Sequence, residues 1–228
     1  MLFRSNPIAY PKLPYDPVKD FVGVVRLGDI ESLIVAHPSV PANNFDELVA
    51  LAKAKPDALT WSTIGVGSGA HMTLEWLRTR GVQFLHVPFK GGEAAMNAVI
   101  GGQVNLSLNA AGRTVPMVKS GKLKAIAVSG TRASQFIPGV RAMGDSGYGV
   151  DTGVWIGLFA PAATPKSIQD KLFAAVHKVM QMPDVQERLK NGMMTLALSN
   201  SPQEWTDSVR QQTLQWSEVV KANQVKID

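Results

Sequence analysis

The fold of this chain is decided by a glycine-rich stretch, which reads Thr60-Trp61-Ser62-Thr63-Ile64-Gly65-Val66-Gly67-Ser68-Gly69-Ala70-His71. A short strand is predicted before the glycines, at residues 58–63, and a helix after them, at residues 70–79. Such a turn leaves backbone N–H groups unpaired at the start of the helix, where the helix dipole favours negative charge. The stretch therefore predicts a strand–turn–helix unit that can hold a small anion.

Strands and helices alternate on both sides of this stretch. Strands are predicted at residues 21–27, 32–36, 58–63, 82–88, 104–108, 122–129, 154–159 and 194–198. Helices are predicted at residues 45–52, 70–79, 93–100, 116–120, 168–179, 184–190 and 205–220. This alternation predicts an α/β fold with a mostly parallel sheet.

The composition excludes several classes of protein. With 228 residues, 45% of them hydrophobic and 18% charged, the chain has the composition of a folded globular protein. The absence of cysteine excludes disulfides, thiolate metal sites and cysteine nucleophiles. The net charge of +5 comes from scattered basic residues, which argues against nucleic-acid binding. No apolar stretch is long enough to span a bilayer. The residues after Met1 do not have the pattern of a secretory leader, so we expect either an intracellular protein or a leader that lies outside this sequence.

The glycine-rich turn has two interpretations on the residues alone. In the first, it binds a carboxylate or phosphate through backbone N–H groups, and the hydroxyls of Ser62, Thr63 and Ser68 donate to the anion. In the second, the glycines only make a tight turn, and Ser68 caps the following helix.

Two enzyme classes compete for the same residues. The spacing Gly65-x-Gly67-x-x-Ala70 matches the dinucleotide fingerprint, but the next strand ends in Lys90 rather than in an acid that would bind the ribose. Lys90 can face a 2′-phosphate, so an NADP-dependent oxidoreductase that uses the Gly65–Ala70 loop stays an alternative. A hydrolase elbow centred on Ser68 would need glycines at positions 66 and 70, which it lacks.

The histidines and tryptophans are assigned mainly to structure. None of the four histidines has metal-ligand spacing to another, and no acidic pair is placed for acid–base work, so we expect no catalytic residue, metal or cofactor. His71 is predicted to orient the glycine turn or to pack beneath it, with donation to the ligand as the alternative. His86 is predicted to be a hydrogen-bonded core residue and not a ligand. Trp61 and Trp155 are predicted either to wall an apolar part of a cleft or to lie in the core.

Further blocks along the chain complete a family pattern. They are Leu13-Pro14-Tyr15-Asp16-Pro17, His86-Val87-Pro88-Phe89-Lys90-Gly91, Gly102-Gln103-Val104, Lys119-Ser120-Gly121-Lys122-Leu123-Lys124-Ala125 and Trp155-x-Gly157-x-x-Ala160-Pro161. With the glycine-rich turn, they closely resemble the solute-binding proteins of tripartite tricarboxylate transporters, the Bug family. The likeness runs from Asn6 to Asp228. It departs at Asn105, where the family usually has aspartate, and at Phe89, where it often has tyrosine.

The resemblance implies a periplasmic-binding-protein-like (type II) fold of two α/β lobes, with residues 38–124 as a complete second lobe. Residues 1–37 and 125–228 would supply the rest of the first lobe and the hinge strands. The family's leader peptide and first strand–loop–helix unit have no counterpart here, so the first lobe is expected to be incomplete. Its exposed sheet edges are then expected to allow self-association, and a fragment that binds nothing is a further alternative.

The resemblance also implies a function without catalysis. Family members bind di- or tricarboxylates, acidic amino acids or aromatic acids in the periplasm and pass them to a membrane permease. The ligand-binding residues it implies here are Ser62, Thr63, Gly65, Gly67, Ser68, Gly69, Ala70, His71, Lys90 and Trp155.

Overall fold

The computed structural model describes residues 13–149 and 154–223, and these form two compact units. Residues 13–30 and 154–218 form the first unit; residues 31–149 and 219–223 form the second. In chain order the strands and helices are β1 (Phe21–Ile30), β2 (Ser32–Ala36), α1 (Phe45–Ala54), β3 (Thr60–Thr63), α2 (Gly69–Arg78), β4 (Leu85–Pro88), α3 (Gly92–Ile100), β5 (Leu106–Ala110), α4 (Ala111–Lys119), β6 (Lys124–Val128), β7 (Val154–Pro161), α5 (Lys166–Met180), α6 (Pro183–Asn191), β8 (Met194–Leu196) and α7 (Pro202–Ala222).

The second unit is built on a five-stranded sheet in the order β4-β3-β5-β2-β6. β3 pairs in parallel with both β4 and β5, whereas β2 pairs antiparallel with both β5 and β6. The α/β class is confirmed, but the prediction of a mostly parallel sheet is wrong for β2 and for the three-stranded sheet of the first unit. Periodicity predicts the type of an element and not its direction in a sheet, and α1 joins two antiparallel strands, β2 and β3.

A continuous apolar core lies on this sheet. Its strand residues are fully buried, among them Ile34, Leu106 and Trp61, and the Trp61 ring lies 5.3 Å from that of Phe84 between centroids. Leu48 of α1 joins the same core. Trp61 is therefore a core residue of the second unit and does not wall a cleft.

The second unit extends beyond the predicted second lobe, 38–124, at both ends. β2 begins before residue 38 and β6 ends after residue 124, and both strands belong to the five-stranded sheet. Residues 219–223 at the end of α7 also belong to this unit, where the Asn223 side chain donates to the backbone oxygen of Glu75 at 3.1 Å. The sequence does not predict that these segments belong to the second unit, because strands that pair in one sheet can lie far apart along the chain.

The first unit contains a three-stranded antiparallel sheet in the order β7-β1-β8. The Trp205 ring of α7 packs against one face so closely that a side chain at Gly157 would lie 2.5 Å from it. Phe173 and Val176 of α5 pack on an apolar cluster centred on β1. Helical spacing predicts that Ile168, Leu172, Val176 and Val179 share one inward face of α5, but only Val176 of these packs inward and the other three are exposed.

The edge strand of the first unit carries exposed apolar side chains. β7 pairs with β1 along its length, and Val154, Ile156 and Leu158 alternate on it as exposed residues. In a strand, alternate residues share one face. Val154, Ile156 and Leu158 therefore form one exposed apolar face of β7.

Candidate functional site

The glycine loop, residues 64–68, connects β3 to α2 and has a backbone that needs glycine. Gly65 has φ +113° and Gly67 has φ +77°, values that side chains with a Cβ rarely adopt. Ser68 ends the loop as the N-cap of α2, and its side-chain oxygen accepts the N–H of His71 at 3.3 Å. The N-terminus of α2 and both glycines with positive φ therefore lie in the same short segment.

The sheet topology places this loop at a point that commonly binds ligands. β3, β4 and β5 run parallel, so the N-termini of the helices that follow them, α2, α3 and α4, lie at the same edge of the sheet. The chain leaves β3 toward β4 on one side and leaves β5 toward β6 on the other. Adjacent strands whose connections diverge in this way open a crevice at their carboxyl ends.

The first turn of α2 presents unpaired donors at this crevice. Within the described residues, the backbone N–H groups of Gly69 and Ala70 have no hydrogen-bond acceptor. The apolar side chains of the loop, Ile64 and Val66, are 52% and 42% exposed. Two free N–H groups at a helix N-terminus attract an anion through both hydrogen bonding and the helix dipole.

Two stacked histidines lie beneath the loop. The rings of His71 and His86 are 4.5 Å apart between centroids with 26° between their planes. The Gly67 N–H donates to Nδ1 of His71 at 3.1 Å, so His71 is placed to orient the loop. Burial lowers the pKa of His86 from 6.5 to about 4, and the neighbouring His71 adds to this effect. His86 is half-buried and not in the core, but its hydrogen bond to Thr63 agrees with the prediction of a hydrogen-bonded histidine.

Ser62 and Thr63 are committed to the fold. The Ser62 hydroxyl is fully buried and donates to the backbone oxygen of Leu106 at 3.1 Å. The Thr63 hydroxyl lies 2.7 Å from Nε2 of His86 and accepts the N–H of Gly65 at 3.2 Å. Both side chains therefore hold the loop from below, and neither offers an exposed hydroxyl to a ligand.

A second polar surface lies at the N-terminus of α3, at the same edge of the sheet. Lys90 and Arg113 line one open depression there together with residues 91–94 and Asn97. The Arg113 guanidinium passes so close that a side chain at Gly92 would lie 2.4 Å from it. Among the described residues, neither Lys90 nor Arg113 forms an ion pair.

Sequence reasoning missed Arg113 because a single arginine in a helix has no motif. The signal that was available is its position: it lies in the first turn of the helix that follows β5, next to β3 in the sheet. That adjacency depends on the strand order, which the sequence does not state.

The remaining predicted residue, Trp155, lies in the first unit. Its indole N–H donates to the side-chain oxygen of Gln212 at 2.8 Å, and its ring lies 4.7 Å from that of Trp205. The loop residues, the histidine pair and Lys90 are thus assembled in the second unit, and Trp155 belongs to a separate aromatic cluster.

Comparison with known proteins identifies the family. Residues 1–225 match the family described as the tripartite tricarboxylate transporter family receptor. The chain belongs to this family. Its members are receptors and not enzymes, so the oxidoreductase alternative is not supported.

Relatives and solved structures agree with this assignment. The chain is 34% identical over 193 residues to the UPF0065 protein in the gbd 5′ region of Cupriavidus necator, covering 84% of this chain and 59% of that protein. It superimposes on the periplasmic binding protein BugD with a TM-score of 0.79 and 31% identity, covering 98% of this chain and 76% of BugD. MatC from Rhodopseudomonas palustris with bound malate matches with a TM-score of 0.77 and 29% identity, over 96% of this chain and 76% of MatC.

The chain is shorter than these relatives. It spans 59%, 63% and 52% of the length of three curated relatives that it matches. Within residues 13–149 and 154–223, no helix has the length and apolar character needed to cross a bilayer.

Proposed function

We propose that this chain is the ligand-capturing part of a solute receptor for a tripartite tricarboxylate transporter, and that its glycine loop binds a carboxylate. The backbone N–H groups of Gly69 and Ala70 are the proposed donors, with the Ser68 side chain beside them. The observation that carries the proposal is the pair of unpaired N–H groups at the start of α2, at the divergence point between β3 and β5.

The surface at α3 supports a ligand with a second acidic group. Lys90 and Arg113 supply two cations against one carboxylate, that of Glu93, in a depression at the same edge of the sheet as the glycine loop. The arginine fork matches a carboxylate in geometry. MatC, which is 29% identical, was solved with bound malate, a small acid with two carboxylates. A dicarboxylate is therefore the ligand class we favour over an aromatic acid, since Trp61 is buried in the core.

The cellular setting follows from the family. A receptor of this type works outside the cytoplasm, in the periplasm, and delivers its ligand to permease subunits in the membrane. For this chain, the periplasmic location and the permease partner are proposals.

Two matched glycine variants test the loop. Gly65 and Gly81 both have positive φ, +113° and +73°, and a Cβ at either position would meet no atom within 4 Å. Alanine at either position should cost about 1–2 kcal/mol of unfolding free energy, because the backbone is strained for an L-residue. Only Gly65→Ala should also weaken malate binding, by about tenfold, since it moves donors that face a charged acceptor.

Calorimetric titration of malate, succinate, citrate, glutamate and NADP⁺ into the parent chain and into each of the two variants provides the measurement. Equal malate affinity in Gly65→Ala and Gly81→Ala would show that the loop is only a turn. Binding of NADP⁺ without any carboxylate would restore the oxidoreductase alternative. A folded chain that binds none of these compounds would match the alternative of a non-binding fragment.

A further inference from the structure

The stacked histidines are connected to both glycines of the loop. The Gly67 N–H donates to Nδ1 of His71 at 3.1 Å, and His71 is only 6% exposed. Nε2 of His86 lies 2.7 Å from the Thr63 hydroxyl, which accepts the Gly65 N–H at 3.2 Å. Each peptide with an unusual φ is thus held by one histidine, directly or through one hydroxyl.

These contacts define the protonation state of His71. Because Nδ1 accepts a hydrogen bond, it carries no proton, and the ring proton of a neutral imidazole is then on Nε2. Nε2 lies 3.5 Å from Oε1 of Glu75, and both carboxylate oxygens of Glu75 accept from Arg78, at 2.8 and 3.1 Å. Glu75 therefore faces the protonated nitrogen and favours this tautomer.

We propose that His71 and His86 are positioning residues for ligand capture, and that His71 holds the loop only as the neutral Nε2–H tautomer. This inference rests on the proposed function, because the loop is its binding element. When His71 takes up a second proton, Nδ1 becomes a donor and faces the Gly67 N–H, which is also a donor. The loop must then leave this geometry, and the affinity for a carboxylate falls.

Two substitutions of His71 provide a matched pair. His71→Asn places an amide oxygen at the position of Nδ1 and keeps the acceptor for Gly67 without a titratable group. His71→Gln places its amide one bond further out, toward Glu75, and leaves no acceptor at the position of Nδ1. With malate as the probe at about pH 8, we expect His71→Asn to bind within about threefold of the parent chain and His71→Gln about tenfold more weakly. Equal binding of malate by His71→Asn and His71→Gln would overturn the proposal.

A ligand-free measurement keeps this test separate from that of the proposed function. Nitrogen-15 NMR of the parent chain at about pH 8 should show an unprotonated Nδ1 on His71, and the Gly67 amide signal should shift more in His71→Gln than in His71→Asn. Thr63→Val, which removes the hydroxyl between His86 and Gly65, should shift the Gly65 amide signal. A protonated Nδ1, or a Gly67 signal that shifts equally in His71→Gln and His71→Asn, would refute the inference whether or not malate binds. Absence of malate binding with these NMR signals in place would count against the proposed function alone.

Discussion

The two units of this chain cover their sheets to different extents. In the second unit, every residue of β2 is buried, and its sheet carries a core that includes Trp61. In the first unit, β7 alternates between exposed and half-buried residues along most of its length. The first sheet has three strands and the second has five.

The unit with the more completely buried sheet is the one that carries the glycine loop. Ser62 and Thr63 are buried beneath the glycine loop, and both of their hydroxyls are hydrogen-bonded. A binding loop on a rigid scaffold keeps its donors in place before the ligand arrives, which lowers the entropy lost on binding. The exposed face of β7 has no such cover within the described residues, and it is a surface available for association.

The largest expected effect comes from comparing the core of the second unit with the exposed face of β7. Trp61→Ala should destabilise the chain by about 3–5 kcal/mol, because it leaves a cavity in a fully buried site. Leu158→Ala on the exposed face of β7 should change stability by less than about 0.5 kcal/mol. Denaturant unfolding of both variants provides the measurement. Similar losses would mean that β7 is covered in solution.

The second prediction concerns association through β7. We propose that its exposed apolar face lets copies of the chain associate, and that Ile156→Lys weakens this association by about tenfold through like-charge repulsion. Leu85→Lys is the matched control, since Leu85 is also an exposed apolar residue on an edge strand, β4. Sedimentation velocity over a concentration series tests both. A parent chain that stays monomeric throughout would contradict the proposal.

The third prediction uses the low pKa of His86. The pKa of His86 is about 4 in the folded chain against 6.5 ordinarily, so the unfolded chain binds more protons between these values. The stabilising contribution of neutral His86 is complete above about pH 6.5 and is lost as the pH falls toward about 4. His86→Gln should therefore flatten the pH dependence of the unfolding midpoint over this window. His177→Gln, in the first unit, is the control, and an equal change in both variants would contradict the prediction.

The smallest effect compares two helix caps. The Ser68 side chain accepts the N–H of His71 in the second unit, and Ser201 accepts that of Glu204 in the first, at 3.3 and 3.0 Å. Each serine-to-alanine change should cost about 1 kcal/mol of unfolding free energy. Only Ser68→Ala should also reduce malate affinity, by a few-fold, because Ser68 borders the proposed donors. Calorimetry that shows no difference between the two variants would remove Ser68 from the site.

Local signals in the sequence predicted most elements to within a few residues. The β2 strand was predicted at its observed bounds, and the helix after the glycine loop differs by one residue at each end. These predictions succeed because hydrophobic period, glycine and proline act over neighbouring residues. The prediction that four apolar residues of α5 share one inward face is partly wrong. Their helical spacing does not reveal that only Val176 of the four packs inward.

The sequence by itself determined the α/β class, the glycine loop and the family, since each depends on residues that are close along the chain or on blocks in a set order. Only the tertiary structure decided the antiparallel direction of β2, the burial of Trp61 and the stacking of His71 on His86. It also brought Arg113 to the same edge of the sheet as the loop. These features depend on which strands become neighbours, and strand pairing joins residues far apart in sequence, for which a single chain carries no local signal.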